Sequence, residues 1–466
     1  FDQVSVSIAP FDVRQSGFTG AGVNAVTKSG TNKFHGSVYG YLRNQNSYGY
    51  KVNERELSKT PNSNTVTGAT LGGPIIKNKL FFFGSYEYEK RSRPGINFVP
   101  KGSTASGTPS NTTLADLKKV YDFVKEKYGY DLGAYENFPN FDENNRKLLA
   151  KIDWNISSKH KLTLKYSDFK GYEVSSENGS SLPQNGPIVV TGGSFNRLPN
   201  NRFSANSMSF ASGNYATNRL VKSGSFELNS RFSSKTANQF IATYTNSSDI
   251  REPWGNPVFF PTVDIFNGAG QNFISLGSDP FTKNNQLVNN ILNFTDNLTL
   301  YLGAHNITTG ITFERQRIGN MFMGGAAGHY AYNTLDDFLN EKAPAYYGYT
   351  YSLVPGDPSP FSANLKMAQL GIYAQDEYNI RSNFKLTYGI RIDMPIYGED
   401  PIPNPKINEL QFPDKNGNMI NYNTGAWPKN KPLFSPRAGF NWDVFEDRSF
   451  IVRGGTGLFT GRVPFV

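Results

Sequence analysis

The four histidines are the residues of this chain best suited to metal binding or acid–base chemistry. His35, His160, His305 and His329 lie far apart and in different predicted elements. The chain has no cysteine, which excludes disulfides, thiol catalysis and thiolate metal ligands within it. No Ser/His/Asp grouping or carboxylate pair stands out. The sequence therefore predicts no catalytic, metal or cofactor site, and it favours a protein that is not an enzyme.

Two short segments resemble ligand-binding loops without completing one. Residues 414–418 (DKNGN) begin like a calcium loop, but the Glu that closes such a loop is missing, which favours a plain Asn-Gly turn. Residues 454–457 (GGTG) are glycine-rich, yet no lysine or helix follows them as in a phosphate-binding loop. Glu87 and Glu89 share one face of a predicted strand, and a solvated lumen explains them without catalysis.

Residues 148–166 (LLAKIDWNISSKHKLTLKY) show the element that positions the polar side chains of this chain. Apolar residues occupy every second position on both sides of the turn at 157–160. Side chains alternate between the faces of a strand, so each half presents one apolar and one polar face. Two such runs joined by a tight turn predict an antiparallel hairpin.

Composition bounds the class of protein without deciding it. The 466 residues are 37% hydrophobic and 14% aromatic, with a mean hydropathy of −0.49. No run of about 18 apolar residues is present, so no transmembrane helix is predicted. A barrel needs none, because only alternate residues face lipid. Composition alone equally allows an aromatic-rich β-sandwich.

The net charge of +9 is modest for a chain of this length. Scattered, solvated Lys and Arg side chains are the favoured explanation, and an anionic ligand or lipopolysaccharide phosphates near the outer rim are the alternative. No basic run is dense enough to predict nucleic-acid binding.

Similar hairpins recur along the chain, with short turns on one side and long segments on the other. This asymmetry is typical of an outer-membrane β-barrel. About twelve to fourteen strands are recognisable from their alternation. The predicted strands cover approximately 33–43, 64–73, 80–90, 148–156, 161–167, 217–232, 237–246, 286–300, 305–317, 364–380, 384–393, 436–444 and 449–456. Long irregular segments are expected at 170–216, 247–284, 318–362 and 394–433.

The insertion at 91–144 is too long for a turn and carries a helical pattern. Leu114, Leu117, Tyr121, Val124 and Tyr128 recur at steps of three and four, which predicts one stripe of an amphipathic helix over 113–128. Thr113 with Asp116 forms a passable capping box. We expect this helix to pack on the outer rim of the barrel.

The first 31 residues differ from the hairpin region because small residues dominate them. Gly17, Gly20 and Gly22 indicate tight turns or close backbone approach. Val23, Val26 and Thr27 predict one short strand. Because the chain begins in the middle of a strand pattern and ends without a tail, we expect an internal fragment of a longer protein.

Several segments resemble a known family in the family's own order. Residues 26–44 (VTKSGTNKFHGSVYGYLRN) resemble the plug-to-barrel junction of TonB-dependent outer-membrane receptors, most closely the Oar-like group common in Bacteroidota. Residues 74–83 (PIIKNKLFFF), 435–442 (SPRAGFNW) and 453–465 (RGGTGLFTGRVPF) resemble the same group. Residues 373–378 (YAQDEY) followed by 386–393 (LTYGIRID) resemble a pattern widespread among TonB-dependent barrels.

The resemblance implies an all-β fold, a transmembrane antiparallel barrel of 22 strands with a plug inside it, in the outer membrane of a Gram-negative bacterium. Residues 1–31 would be the C-terminal end of the plug and residues 32–466 a barrel incomplete at its C-terminus, with long extracellular loops and a short loop helix. The residues assigned to the plug–barrel junction are Gly17, Gly20, Gly22, Asn24, Thr27, Lys28, Ser29 and Gly30.

Two functions follow from the resemblance. The first is a TonB-dependent transporter that imports an unknown ligand, energised by the TonB–ExbB–ExbD complex. The alternative is a barrel-anchored surface protein for adhesion, motility or partner assembly. The expected partners are outer-membrane lipid, the ligand, and a surface lipoprotein or other outer-membrane protein. Candidate ligand contacts in the outer loops are Trp254, Tyr346 and Tyr349.

The alternation also predicts which side chains face lipid. Even-numbered residues should point outward, and their odd-numbered neighbours should face the water-filled interior or the plug. The outward set is Ile152, Leu164, Leu228, Ile372 and Ile390. The inward set is Lys151, Lys165, Glu227, Gln375 and Arg391.

Overall fold

One antiparallel sheet of thirteen strands dominates the computed structural model, which describes residues 1–8, 11–17, 21–57, 59–183, 197–353 and 360–461. Each strand pairs with its neighbours in chain order. This confirms the predicted hairpins and the expected number of strands. The strands are β1 (His35–Asn44), β2 (Ser63–Ile76), β3 (Leu80–Pro94), β4 (Asn140–Asn155), β5 (His160–Ser175), β6 (Tyr215–Arg231), β7 (Thr236–Pro253), β8 (Asn285–Leu302), β9 (His305–Phe322), β10 (Ala363–Arg381), β11 (Phe384–Tyr397), β12 (Leu433–Asp443) and β13 (Ile451–Gly457).

The connections between these strands are short at one end of the sheet and long at the other. The short turns cover 77–79, 156–159, 232–235, 303–304, 382–383 and 444–450. The long connections cover 45–62, 95–139, 176–214, 254–284, 323–362 and 398–432. Short turns on one side and long loops on the other are the arrangement found in outer-membrane barrels.

The two faces of the sheet differ as the alternation predicts. Leu164, Ile372 and Ile390 are 42%, 49% and 42% exposed in the isolated chain, as lipid-facing side chains would be. Apolar partners sit directly opposite one another on this face, as with Ile152 and Leu164.

The five residues predicted to face inward share the opposite, polar face. Lys151, Gln375 and Arg391 each bond to the N-terminal segment. Lys165 lines an interior cavity, and Glu227 accepts hydrogen bonds from the side chains of Asn229 and Gln239. The predicted lipid and lumen faces are therefore confirmed.

The insertion after β3 contains the predicted helix, α1 (Leu114–Tyr128). Thr113 caps its start: the hydroxyl accepts the Asp116 N–H at 3.1 Å and donates to the Asp116 carboxylate at 2.6 Å. Leu117 and Val124 are buried, as predicted, and Val120 is buried with them. Tyr128, at the last turn of the helix, is 51% exposed, and its ring packs against those of Phe123 and Phe260. No helix of the described residues is long and apolar enough to cross a membrane.

The long loops build a second, smaller sheet, where the sequence analysis expected only irregular structure. Thr262–Phe266 pairs with Asn272–Leu276 on one side and with His329–Tyr332 on the other, and Tyr346–Gly348 completes the sheet. All five residues of Thr262–Phe266 are buried, so the alternation that marks a half-exposed strand is absent there. That absence is the physical reason why the strand was missed.

The loop regions pack around this small sheet into one folded unit, which we call the cap (residues 95–139, 176–183, 197–214, 254–284 and 323–353). A hydrophobic core unites it, and residues from four different loops contribute: Leu117, Val120, Val124, Tyr130, Leu132, Met208, Phe210, Val263, Ile265, Ile274, Leu276 and Phe338. The cap lies at the long-loop end of the barrel sheet, so α1 is in an outer loop as expected.

The N-terminal segment forms a hairpin of two strands, Gln3–Ile8 and Ala21–Val26. The expectation of a single strand near Val23 and Val26 was therefore incomplete, although the alternating Val4, Val6 and Ile8 carried a signal for the other strand. The remaining short elements are the strands Lys51–Val52, Arg55–Glu56, Phe98–Lys101, Thr108–Thr113, Gln411–Pro413 and Met419–Asn421, and the helices Gln45–Ser47, Ala211–Gly213, Leu335–Leu339 and Pro405–Asn408.

Candidate functional site

The N-terminal segment lies against the inner face of the barrel sheet at two separate places. Ser29 accepts a hydrogen bond from Lys151 on β4 at 2.8 Å. Val13 contacts Gln375 on β10 and Arg391 on β11. Because strands near both ends of the sheet reach one short segment, the sheet curves around it. The segment therefore occupies the lumen.

The first place of attachment is beside β2 and β3, just before the chain enters β1. A Cβ atom on Gly30 would lie 2.3 Å from the Phe82 carbonyl oxygen and 2.7 Å from that of Gly73, so only glycine fits there. Asn32 and Asn78 exchange hydrogen bonds of 2.5 and 2.7 Å across the first short turn. This attachment fixes the end of the N-terminal segment to the barrel wall.

The eight residues predicted at the plug–barrel junction fall into two groups. Thr27, Lys28, Ser29 and Gly30 meet the wall: Thr27 and Lys28 line a cavity of about 730 Å³ in front of Tyr39, Glu87 and Lys165. Gly17 provides a left-handed turn with φ 73°, and Gly22 and Asn24 belong to the hairpin strand rather than to the wall contact. Gly20 lies outside the described residues.

The second place of attachment was missed by the sequence analysis. The Val13 N–H donates to the Gln375 amide oxygen at 3.0 Å, and the Val13 carbonyl accepts from Arg391 at 3.3 Å. Val13 is fully buried. A signal was present in the glycines inside β11, β12 and β13, because glycine weakens a strand and often marks close approach of another backbone.

The three aromatic residues proposed as ligand contacts do not meet in one place. Trp254 packs edge-to-face on Phe141 with 5.4 Å between ring centres. The Tyr346 ring packs against the buried His329 ring, with 5.6 Å between ring centres. Tyr349 is 51% exposed. It belongs to a row of neighbouring rings on the cap: Tyr330, Tyr347, Tyr349 and Tyr351.

A buried polar network joins three loops of the cap, and no sequence pattern marked it. Arg202 is fully buried and forms two hydrogen bonds to Asp264, at 3.0 and 2.9 Å. The Asp264 carboxylate also accepts from Ser275 at 2.6 Å and contacts His329 Nε2 at 2.9 Å. Glu177 lies 3.4 Å from Arg202 and accepts the Ser209 hydroxyl at 2.5 Å. His329 is thus a structural residue.

The two carboxyl groups of this network differ in their protonation. Burial opposes ionisation of Asp264, but the Arg202 guanidinium and His329 outweigh it and hold the pKa of Asp264 well below its usual range. Burial dominates at Glu177 and raises its pKa to about 8 against the attraction of Arg202. Asp264 therefore neutralises Arg202, and Glu177 carries a proton near neutral pH.

The described residues hold no cluster of three or more His, Asp or Glu side chains that fits a metal ion. His160 faces Ser230 at 2.9 Å, whereas His305 faces Asp376 at 2.7 Å and stacks on Tyr378. The arrangement offers a polar lumen, an occupying segment and a folded outer cap.

Comparisons with known proteins agree with this architecture. The family model for the outer membrane β-barrel domain matches residues 26–129 and 125–466. A stretch of 74 residues is 40% identical to the TonB-dependent transporter Oar of Myxococcus xanthus, covering 15% of this chain and 7% of that protein. The resemblance to TonB-dependent outer-membrane receptors is thereby confirmed, and the assignment to a Bacteroidota branch stays a prediction.

Solved structures share the fold at low sequence identity. The outer membrane transporter YddB from Escherichia coli superposes with a TM-score of 0.57 at 10% identity, over 98% of this chain and 48% of that chain. The ferric enterobactin receptor PfeA from Pseudomonas aeruginosa gives a TM-score of 0.51 at 11% identity, over 97% and 48%. This chain thus spans about half the length of these two structures. It belongs to the outer membrane β-barrel domain family, and its place is the outer membrane of a Gram-negative bacterium.

Proposed function

We propose that this chain is part of a TonB-dependent transporter that imports a ligand across the outer membrane, and that residues 1–31 are the end of its plug. The observation that carries the proposal is the N-terminal segment held inside the lumen by Lys151, Gln375 and Arg391. A barrel of the size implied by the family leaves an open lumen unless something fills it. A plug that moves gives a large ligand a route without a standing leak.

The contacts of the segment suit a part that is held but can be moved. They are hydrogen bonds between polar side chains of the wall and backbone or hydroxyl groups of the segment, which water can replace. Movement needs energy from outside this membrane, which the TonB–ExbB–ExbD complex would supply. The names of the relatives fit this proposal: Oar is a TonB-dependent transporter, and PfeA is a receptor for ferric enterobactin.

The ligand would first meet the cap, which lies at the long-loop end of the barrel. Of the three aromatic candidates, we retain Tyr349 as a ligand contact, because its exposed ring lies in the row with Tyr347 and Tyr351. We assign packing roles to Trp254 and Tyr346, whose rings lean on Phe141 and His329.

The test compares three strains of the native host: wild type, a deletion of the gene for this protein, and a deletion of TonB. The compounds removed from the growth medium are measured by mass spectrometry. We expect at least one compound to be depleted by the wild type and by neither deletion strain, because import needs both the barrel and its energy source. That compound would identify the ligand.

One pattern would contradict transport. If depletion is lost in the gene deletion but persists without TonB, with the protein present in the outer membrane, energised import is wrong. If no compound differs but adhesion, motility or recovery of a lipoprotein partner does, the barrel-anchored surface protein becomes the better explanation.

A further inference from the structure

The barrel wall contains a seat shaped for residues 11–15, which we call the wall seat (Gln375, Gly389, Arg391, Arg437, Gly439 and Gly455). A Cβ atom on Gly389 would lie 2.7 Å from the Ala374 carbonyl oxygen and 2.9 Å from Val13 Cγ1. One on Gly455 would lie 2.6 Å from both the Ala438 carbonyl oxygen and the Phe11 ring. These contacts are closer than a side chain tolerates. The glycines therefore leave room in three neighbouring strands for the two apolar side chains of the segment.

Polar groups around the seat hold the backbone of the same residues. Arg437 donates to the carbonyl oxygens of Asp12 and Gln15 at 2.7 and 2.9 Å. Together with the bonds of Val13 to Gln375 and Arg391, these contacts hold four backbone groups of residues 12, 13 and 15. The wall seat therefore binds the backbone of the segment, and the side chains of Phe11 and Val13 fix which residues occupy it.

Arg391 is oriented by the wall and not by the segment. Its Nε lies 3.0 and 2.9 Å from the two Asp393 oxygens, and its Nη2 donates to Thr312 at 2.7 Å. A Cβ on Gly371 would lie 2.2 Å from Nη2, so that glycine makes space for the guanidinium. The seat is therefore preformed for the arriving carbonyl group.

Ion pairs lie within each side of this contact. Arg14 pairs with Asp12 inside the segment, and Arg391 pairs with Asp393 inside the wall. Lifting the segment away breaks hydrogen bonds to backbone groups and leaves both ion pairs intact. Water can replace the lost bonds at small net free energy, whereas a buried ion pair resists separation.

The attachment beside β2 and β3 has a different character. Gly30 lies directly on the backbone of two strands, and Asn32 and Asn78 are reciprocally bonded. The chain then continues without interruption into β1 at His35. This end is anchored by the covalent chain as well as by its contacts.

We propose that the wall seat is a releasable latch for the N-terminal segment, and that residues 29–32 form a hinge that stays on the wall when the latch opens. The inference rests on the proposed function, since it assigns the moving and the fixed end of the plug segment. Gln375, Arg391 and Arg437 are positioning residues, because they act by holding the segment.

Cysteine labelling tests the latch, because this chain has no cysteine of its own. Val13→Cys is introduced into the full-length protein, from which any other cysteine has been replaced by serine. The purified protein in detergent is treated with fluorescein maleimide. In the wild-type background the buried position should react slowly. Arg437→Gln should speed labelling about tenfold, as expected for the loss of one pair of hydrogen bonds.

The matched control is Arg453→Gln, because Arg453 lies on β13 and lines a different cavity with Lys385 and Asn441. We expect that variant to label at the wild-type rate. Gln375→Ala removes the Val13 contact without changing charge and should reproduce the effect of Arg437→Gln. Heat-dependent migration in gels verifies that each barrel is folded. Equal labelling rates in all folded variants would overturn the latch.

A disulfide tests the hinge in the same assay. Asn32→Cys with Asn78→Cys, oxidised in the Arg437→Gln background, should leave the fast labelling at position 13 unchanged. Slow labelling after oxidation would show that the segment moves as one piece and would refute the hinge. Neither labelling experiment involves TonB or ligand. A negative labelling result therefore leaves the transport proposal standing, and uptake that proves independent of TonB leaves the latch proposal standing.

Discussion

At the scale of single residues, burial decides what each polar group does. Arg202 and Asp264 satisfy each other in the cap, so their charges hold loops together without being available to a ligand. Glu177 is the exception: it also lies beside Arg202, but it is protonated and so does not balance the Arg202 charge. Its neighbours are Arg202, Ser209, Asp264 and Asp279, of which the two aspartates oppose its ionisation.

The raised pKa of Glu177 predicts a pH-dependent cap. The folded cap keeps a proton on Glu177 up to pH about 8, whereas the unfolded value is 4.5. The contribution of Glu177 to the stability of the cap is therefore greatest below pH 4.5, the pKa of the unfolded state. It is lost as the pH rises through about 8, the pKa in the folded cap. Limited proteolysis of the cap should accelerate between these limits. Glu177→Gln should flatten the profile, and Glu126→Gln on the exposed face of α1 should not. A flat profile in the wild-type protein would contradict the assignment.

A second prediction concerns the lipid-facing side of β10. Ile372 points outward opposite Ile311, so arginine there would place a charge in the hydrocarbon layer. Ile372→Arg should destabilise the barrel by about 2–4 kcal/mol if the residue lies near the midplane. Urea unfolding from lipid vesicles measures the change. Ser167→Arg is the control, because Ser167 lines the interior cavity. Equal destabilisation by both variants would refute the assigned faces.

At the scale of elements, α1 belongs to the cap and not to the barrel. Its buried side chains contact core residues contributed by other loops, including Ile265 and Ile274. The helix begins at a Thr cap and ends at Gly129 with φ 64°, so its limits are local. Its packing, however, depends on segments far along the chain.

Leu117→Ala should therefore weaken the cap while sparing the barrel. Removing a fully buried leucine side chain costs about 2–5 kcal/mol in a packed core. We expect faster proteolysis within the cap and unchanged heat-dependent migration of the barrel. Glu126→Ala, on the exposed side of the same helix, should behave like wild type.

Deleting 113–128 should leave barrel assembly intact and impair ligand or partner binding. Normal binding after that deletion would show that the loop is dispensable.

At the scale of the whole molecule, the barrel sheet and the cap are two units that place their apolar side chains differently. The barrel sheet has an apolar outer face and a polar inner face, whereas the cap buries its apolar side chains in a core of its own. The N-terminal segment connects early and late strands of the barrel through the lumen. In our proposal, this segment leaves the wall seat during import and stays attached beside β2 and β3.

The sequence by itself determined the strands, the hairpins and the faces of the barrel. Lipid on one side and water on the other force strict alternation, and each short turn sets the pairing of adjacent strands, so the information is local. The helix α1 was predictable for the same reason, through its cap and its stripe. Several predicted strands ended too early on the long-loop side, because the apolar–polar alternation of the sequence fades there.

Only the tertiary structure decided the cap core, the Arg202 network and the wall seat. Thr262–Phe266 is buried on both faces, so it carries no periodic signal. Val13 meets Gln375 and Arg391 across hundreds of intervening residues, and neither partner is marked by local pattern. Such contacts depend on how the sheet curves and on which loops meet above it. Physical proximity of distant segments, and not the spacing of residues along the chain, creates these sites.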